Sequence, residues 1–209
     1  MKKKAFIELI QTQVAGGAVP ADLESRLHPL VIGAMVDVVY ESIIYKISGN
    51  ALRYRDWGQL DQYCRPYKNV AILKDEDRNE WYSILPASVI QLPRNRGIHQ
   101  ISPMKDQVNK FKYSDNNSVD IWDELEAQKV VDYTSFYVES NRVYYRKFDE
   151  NYVLPGLLFK LLTPLSEFDD DDEIGIPGEK SIDIFTFVTE LLTKRAPETN
   201  TNENDSKQI

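Results

Sequence analysis

Few residues in this chain are of a type and spacing that could do chemistry. Phe168-Asp169-Asp170-Asp171-Asp172-Glu173 packs five carboxylates into one run, and hard cations such as Ca²⁺ and Mg²⁺ take oxygen ligands of this kind. The run lacks the glycine and the spaced ligands of a calcium loop, so a solvated acidic loop accounts for it better than a metal site. His28 and His99 are the only histidines and lie far apart in sequence; an isolated histidine is more often a hydrogen-bonded structural residue than a base or a ligand. Cys64 stands beside Arg65, which would favour a thiolate, but no Cys-His signature accompanies it, and a small buried apolar residue is its ordinary role. Neither a P-loop nor a glycine-rich dinucleotide fingerprint is present. Arg94, Arg96 and His99 form the one basic cluster, with Lys105, Lys110 and Lys112 farther on. Without interleaved aromatics the cluster suits an acidic partner, or the chain's own carboxylates, better than nucleic acid. The expectation is a protein with no catalytic residue, no cofactor and no metal. A metal-dependent hydrolase built on Asp169 to Glu173 with His99 ranks last among its functional readings.

Composition narrows the class further. A chain of 209 residues with 42% hydrophobic and 11% aromatic residues can bury a real core, as one domain or two small ones. The formal charge of −8 argues against tight binding to nucleic acid, which needs clustered lysine and arginine to neutralise phosphates. A lone cysteine forms no internal disulfide, and MKKKAFIELIQTQ is no signal-peptide core, so synthesis in a reducing cytoplasm is expected. The most apolar run, VIGAMVDVVYESIIY, is interrupted by Asp37 and Glu41 and is too short to span a bilayer, so no membrane association is expected.

Periodicity predicts the elements that must position these residues. Residues 3–14 read as a helix with Phe6, Leu9, Ile10 and Val14 on one face, ended by Gly16-Gly17. A short helix follows over 21–27, and a long one over 30–47 that Gly49-Asn50 should stop. In that long helix Val31, Ala34, Met35, Val38, Ser42 and Tyr45 line one side, while Ile32, Val36, Val39, Ile43 and Ile44 fill much of the rest. A helix apolar on two sides needs a thick core or a neighbouring subunit to cover it. Residues 51–66 fit either helical or extended structure. Residues 68–85 read as a hairpin around the charged turn at 75–79, and 98–102 as a short strand after a turn at Asn95-Arg96-Gly97. A polar loop over 105–118 and a short helix over 120–129 come next.

The organising stretch is 136–192: FYVES and RVYYRK make a hairpin around Ser140-Asn141, VLPGLLFKLLTPL is a third strand-like run, and IPGEKSIDIFTFVTELLTKR repeats its apolar residues at helical spacing. The hairpin is expected to form a sheet edge covered by that helix. The whole is an α+β protein: an N-terminal helical region (1–50), an α+β region with hairpins and a C-terminal helix (51–195), and an extended polar tail (196–209) with little to bury.

The order RGIHQISP, FYVESNRVYY, VLPGLLFKLLTPL, an acidic loop, EIGIP and a terminal amphipathic helix with a polar tail resembles structural proteins of the head-to-tail neck in short-tailed bacteriophages. It is most similar to the ring proteins of crAss-like phages of gut Bacteroidetes, over about the second half of the chain. The resemblance implies a virion structural protein without catalytic residues. Its copies would form a ring, commonly of twelve, that contacts the portal and adjacent neck or tail rings and lines part of the channel through which genomic DNA passes without sequence-specific binding. On that reading Val31, Met35, Val39 and Ile43 are candidate subunit-interface positions, with Val39 facing outward. Pro197 and Ile209 are candidates for docking the tail on a neighbouring copy or the portal. An intracellular assembly or adaptor protein that binds as a monomer or dimer is the alternative.

Overall fold

In a computed structural model the described residues are 2–14, 28–54, 56–114, 134–148 and 156–194. The α+β expectation holds: among the described residues three helices and two sheets are organised around two apolar clusters. Helix α1 spans Lys3–Val14, α2 spans Pro29–Tyr54 and α3 spans Gly178–Lys194. The strands are β1 (Arg65–Val70), β2 (Leu73–Asp75), β3 (Glu80–Ile84), β4 (Ile98–Pro103), β5 (Lys112–Tyr113), β6 (Ser135–Glu139), β7 (Arg142–Arg146) and β8 (Leu157–Leu161). The expected helices at 21–27 and 120–129, and the tail at 196–209 with Pro197 and Ile209, lie outside the described residues.

Helix α1 has its expected bounds, but its buried face is Phe6, Ile7 and Ile10, whereas Leu9 is half exposed. Helix α2 starts where Pro29 can occupy a first-turn position without losing a hydrogen bond. The Leu30 N–H donates to His28 Nδ1 at 3.3 Å, and the Val31 and Ile32 N–H groups donate to the His28 carbonyl, so this histidine caps a helix. Gly49-Asn50 does not stop α2, which runs on to Tyr54 over 26 residues. Ser48 and Ala51 are buried on either side of that pair, and tertiary packing of a helical face outweighs the local cost of about 1 kcal/mol for glycine.

The three-stranded sheet has the order β1-β8-β4 and the five-stranded sheet β2-β3-β7-β6-β5. All pairings are antiparallel except β5 with β6. The 68–85 hairpin is present as β2 and β3, but its first strand is only Leu73–Asp75, and residues 68–70 belong to the other sheet as the end of β1. The hairpin around Ser140-Asn141 forms as β6 and β7, and Ser140 supplies the left-handed turn residue with φ 58°. The third apolar run is not a neighbour of that hairpin. As β8 it occupies the centre of the smaller sheet, which explains its lack of alternation: Leu157, Phe159 and Leu161 enter the cluster between the sheets, while Leu158 is buried as well.

The C-terminal helix also departs from expectation. It packs on α1 and α2 rather than on the hairpins, with Ile184, Val188 and Leu192 joining Phe6, Ile32 and Tyr40 in the helical cluster. The connection after β8 ties the layers together: Leu162 and Leu165 are buried among the helices, and the Leu165 N–H donates to Asp37 Oδ1 at 2.7 Å. A carboxylate that looked like an interruption in an apolar helix is thus an acceptor holding α2 to the end of β8.

Candidate subunit interface

The two-sided character of α2 is resolved by which elements reach it. Ile32, Val36, Val39, Tyr40 and Ile44 are buried against α1, α3 and the post-β8 connection. The other side meets α3 only along an edge, leaving an apolar groove of about 750 Å³ lined by Leu30, Val31, Ala34, Met35, Val38, Val39 and Ser42 of α2 and by Phe187 and Leu191 of α3. Leu30 is 76% exposed, Val38 70% and Phe187 54%. Large apolar side chains gathered in one place at this exposure lose favourable transfer free energy of about 25 cal/mol for each Å² left in water, and such patches on folded proteins mark interaction surfaces.

Three of the four candidate interface residues, Val31, Met35 and Val39, line this groove; Ile43 is packed partly buried against the helical cluster. Val39 does not face outward. It is 5% exposed and contributes to the core, because position 39 falls on the α2 stripe shared with Val36 and Tyr40. Val38, one residue earlier, carries the exposed surface. The α3 wall was not anticipated; its signal is the Phe187/Leu191 pair at i, i+4 spacing.

The remaining sequence candidates have structural occupations. The acidic run folds over the start of α1: the Lys3 N–H donates to the Asp172 carbonyl and the Lys4 N–H to the Asp170 carbonyl, both at 3.1 Å. The loop thereby satisfies helix donors that otherwise lack partners, and places negative charge at the positive end of the helix dipole. Lys2 Nζ lies 2.9 Å from Asp171, and Arg65 Nη2 lies 2.8 Å from Asp172. No group of three or more possible metal ligands converges among the described residues. Replacing Asp169 to Asp172 together by asparagine is expected to leave the fold intact with a change of about 1 kcal/mol or less. The backbone carbonyls that cap α1 survive the change, and solvent-accessible ion pairs contribute little. Chemical denaturation with and without a chelator checks this; loss of a stoichiometric divalent ion together with stability would be the contrary result.

His99 and Asp61 approach to 3.0 Å between Nε2 and Oδ1, with Lys160 Nζ 4.0 Å from the same oxygen. Burial holds the imidazole below its usual pKa, against the opposing pull of Asp61. This pair joins β4 to the 3₁₀ turn at Gly58–Tyr63. The Cys64 thiol is pushed up to about 12 by burial and by Asp61, which disfavours the thiolate, and its sulfur lies 3.3 Å from the Leu60 carbonyl as a weak donor. Among the described residues, no helix is long and apolar enough to cross a membrane. Comparison of the chain with models of known protein families and with curated proteins finds no match.

Proposed function

We propose that this chain is a non-enzymatic structural subunit of a ring in the head-to-tail neck of a bacteriophage virion, in contact with the portal and adjacent ring proteins. The observation that carries this reading is the groove between α2 and α3, an apolar face left open by the chain's own packing. A cyclic ring is built from heterologous contacts, in which one surface of a subunit meets a different surface of the next. A groove serves such a contact, since it is a recipient that does not complement itself.

The formal charge of −8 supports the same reading. Many copies around a channel would present a repulsive wall to the DNA backbone and let the genome slide without sticking. The order of motifs in the second half of the chain, which resembles ring proteins of crAss-like phages, supplies the virion context. The competing assembly-factor reading predicts a monomer or dimer absent from finished particles. Imaging of particles containing this chain, with native mass spectrometry of the purified protein, separates the two: a closed ring in the neck is expected, and one or two copies per particle would overturn it.

A further inference from the structure

We propose that the α2–α3 groove receives the 104–111 loop of the next copy of this chain, inserted as a knob with Val108 at its tip and a lysine on either side. The proposal rests on the ring reading above and names the surface that fills the groove. Val108 is 87% exposed, the most exposed large apolar side chain among the described residues. A single exposed apolar residue is ordinary on a protein surface; this one is distinguished by how it is held and what flanks it.

The loop is fixed by its own hydrogen bonds. Asp106 Oδ1 accepts the N–H groups of Val108 and Asn109 at 3.2 and 3.3 Å, and Asp106 Oδ2 accepts Asn109 Nδ2 at 2.6 Å. Gln100 Nε2, in β4, donates to the Gln107 carbonyl at 3.1 Å, and the Phe111 N–H donates to the Ile101 carbonyl at 2.8 Å. These bonds pin the loop along the edge of β4 that β8 leaves free. A segment already ordered in its own chain loses little conformational entropy on docking, and a valine has few rotamers to give up. The same bonds tie the knob to the smaller sheet, whereas the groove lies between two helices of the other layer, so the groove that receives it belongs to another copy. Two different surfaces then meet, as a cyclic ring requires.

Charge is matched across the contact. Lys105 stands three residues before Val108 and Lys110 two after it, both exposed. Each wall of the groove carries a glutamate three residues after an exposed apolar side chain: Glu41 follows Val38 on α2, and Glu190 follows Phe187 on α3. Burial and then the neighbouring Asp37 raise the Glu41 pKa, and an arriving ammonium group would stabilise its charged form. The lysine stems can lie along the apolar walls while their heads reach these carboxylates. One valine buries little area, but in a closed ring every copy makes the contact on both of its sides, and the contacts reinforce one another.

Native mass spectrometry of the full-length chain and two variants provides the test. Val108→Asp blocks the knob and spares the groove, and Phe187→Asp does the reverse; both side chains are exposed, so both variants should fold as the parent does. The parent should form closed rings, and each variant alone should be a monomer, its self-association weakened by about tenfold or more. Mixed one to one, the variants should form a dimer that grows no further, because the pair retains one intact knob and one intact groove. As a second set, Lys105→Glu with Lys110→Glu should weaken assembly, which mixing with a Glu41→Lys, Glu190→Lys chain restores as alternating rings. Rings that survive Val108→Asp, or a mixture that yields no dimer, would overturn the proposal and leave the ring reading standing. A parent that stays monomeric removes both. Rings in solution with the predicted mixing behaviour, from a chain missing from virions, would keep the knob and groove and remove the virion reading.

Discussion

Gly97→Ala is expected to destabilise the protein by about 3–5 kcal/mol, a large share of the roughly 5–15 kcal/mol that holds an ordinary domain together. A Cβ at this position would lie 2.1 Å from the Ile90 carbonyl oxygen and 2.5 Å from Val89 Cγ1. The first of these is backbone, so no rotamer change relieves it. The neighbouring hydrogen bonds raise the cost: the Leu162 N–H donates to the Gly97 carbonyl and the Ile90 N–H to the Leu162 carbonyl, both at 2.8 Å. Residues 90, 97 and 162 thus form a backbone junction where the smaller sheet meets the helical layer, and a methyl group pries it open. The glycine is required for close approach and not for a left-handed backbone, since no glycine among the described residues has positive φ.

Gly49→Ala provides the control for that measurement. Nothing lies within 4 Å of a Cβ there, and the residue sits inside α2, so the substitution should stabilise by about 0.5–1 kcal/mol. Urea unfolding of both variants against the parent chain checks the opposite signs. Equal stability of Gly97→Ala and the parent would mean that the 88–92 segment does not pack against the start of β4 as described.

Charge in the α2–α3 groove should separate assembly from folding. Val38→Asp and Phe187→Asp alter exposed side chains, and each is expected to change subunit stability by about 0.5–1 kcal/mol at most. At an interface the same carboxylate would be buried unpaired against apolar groups, a large penalty, and at the few central contact residues that dominate an interface a substitution costs about 2 kcal/mol or more. The expected result is a folded monomer with the parent's circular dichroism and no ring. Val39→Asp discriminates further. At 5% exposure that substitution places a carboxylate in the core and should unfold the subunit, so loss of assembly there would carry no information about the interface. Rings that survive both Val38→Asp and Phe187→Asp would remove the groove from the subunit contact.

Much of the fold was legible in local pattern. The bounds of α1, the hairpin around Ser140-Asn141, the turn and strand at 95–102 and the helix near the C-terminus all follow from period and turn chemistry, which act over a few residues. The sorting of α2 into two apolar sides was also legible, and the side carrying Val31, Ala34, Met35, Val38 and Ser42 is the one that lines the groove. Periodicity could not say which side the chain itself covers, because both are apolar and the answer depends on where α1, α3 and the post-β8 connection arrive. That is why Val39 faced outward in the sequence reading and inward in the structure.

Tertiary structure alone decided the rest, and in each case through partners distant in sequence. Gly49-Asn50 is a competent helix stop by propensity, yet burial of Ser48 and Ala51 carries α2 through it. The unalternating apolarity of residues 157–162 announces burial on both faces, but only pairing with β1 and β4 places β8 at the centre of a sheet. The acidic run announces charge; its use as a cap for α1 rests on backbone carbonyls, which carry no side-chain signature. The basic cluster of Arg94, Arg96 and His99 was legible in sequence, but the pairing of His99 with Asp61 became visible only when residues far apart in the chain were brought together. Sequence by itself determined which surfaces are apolar or charged, since that is a property of residue type and spacing. Which of those surfaces are left unsatisfied was decided by long-range packing, because burial and pairing belong to the neighbours a residue acquires.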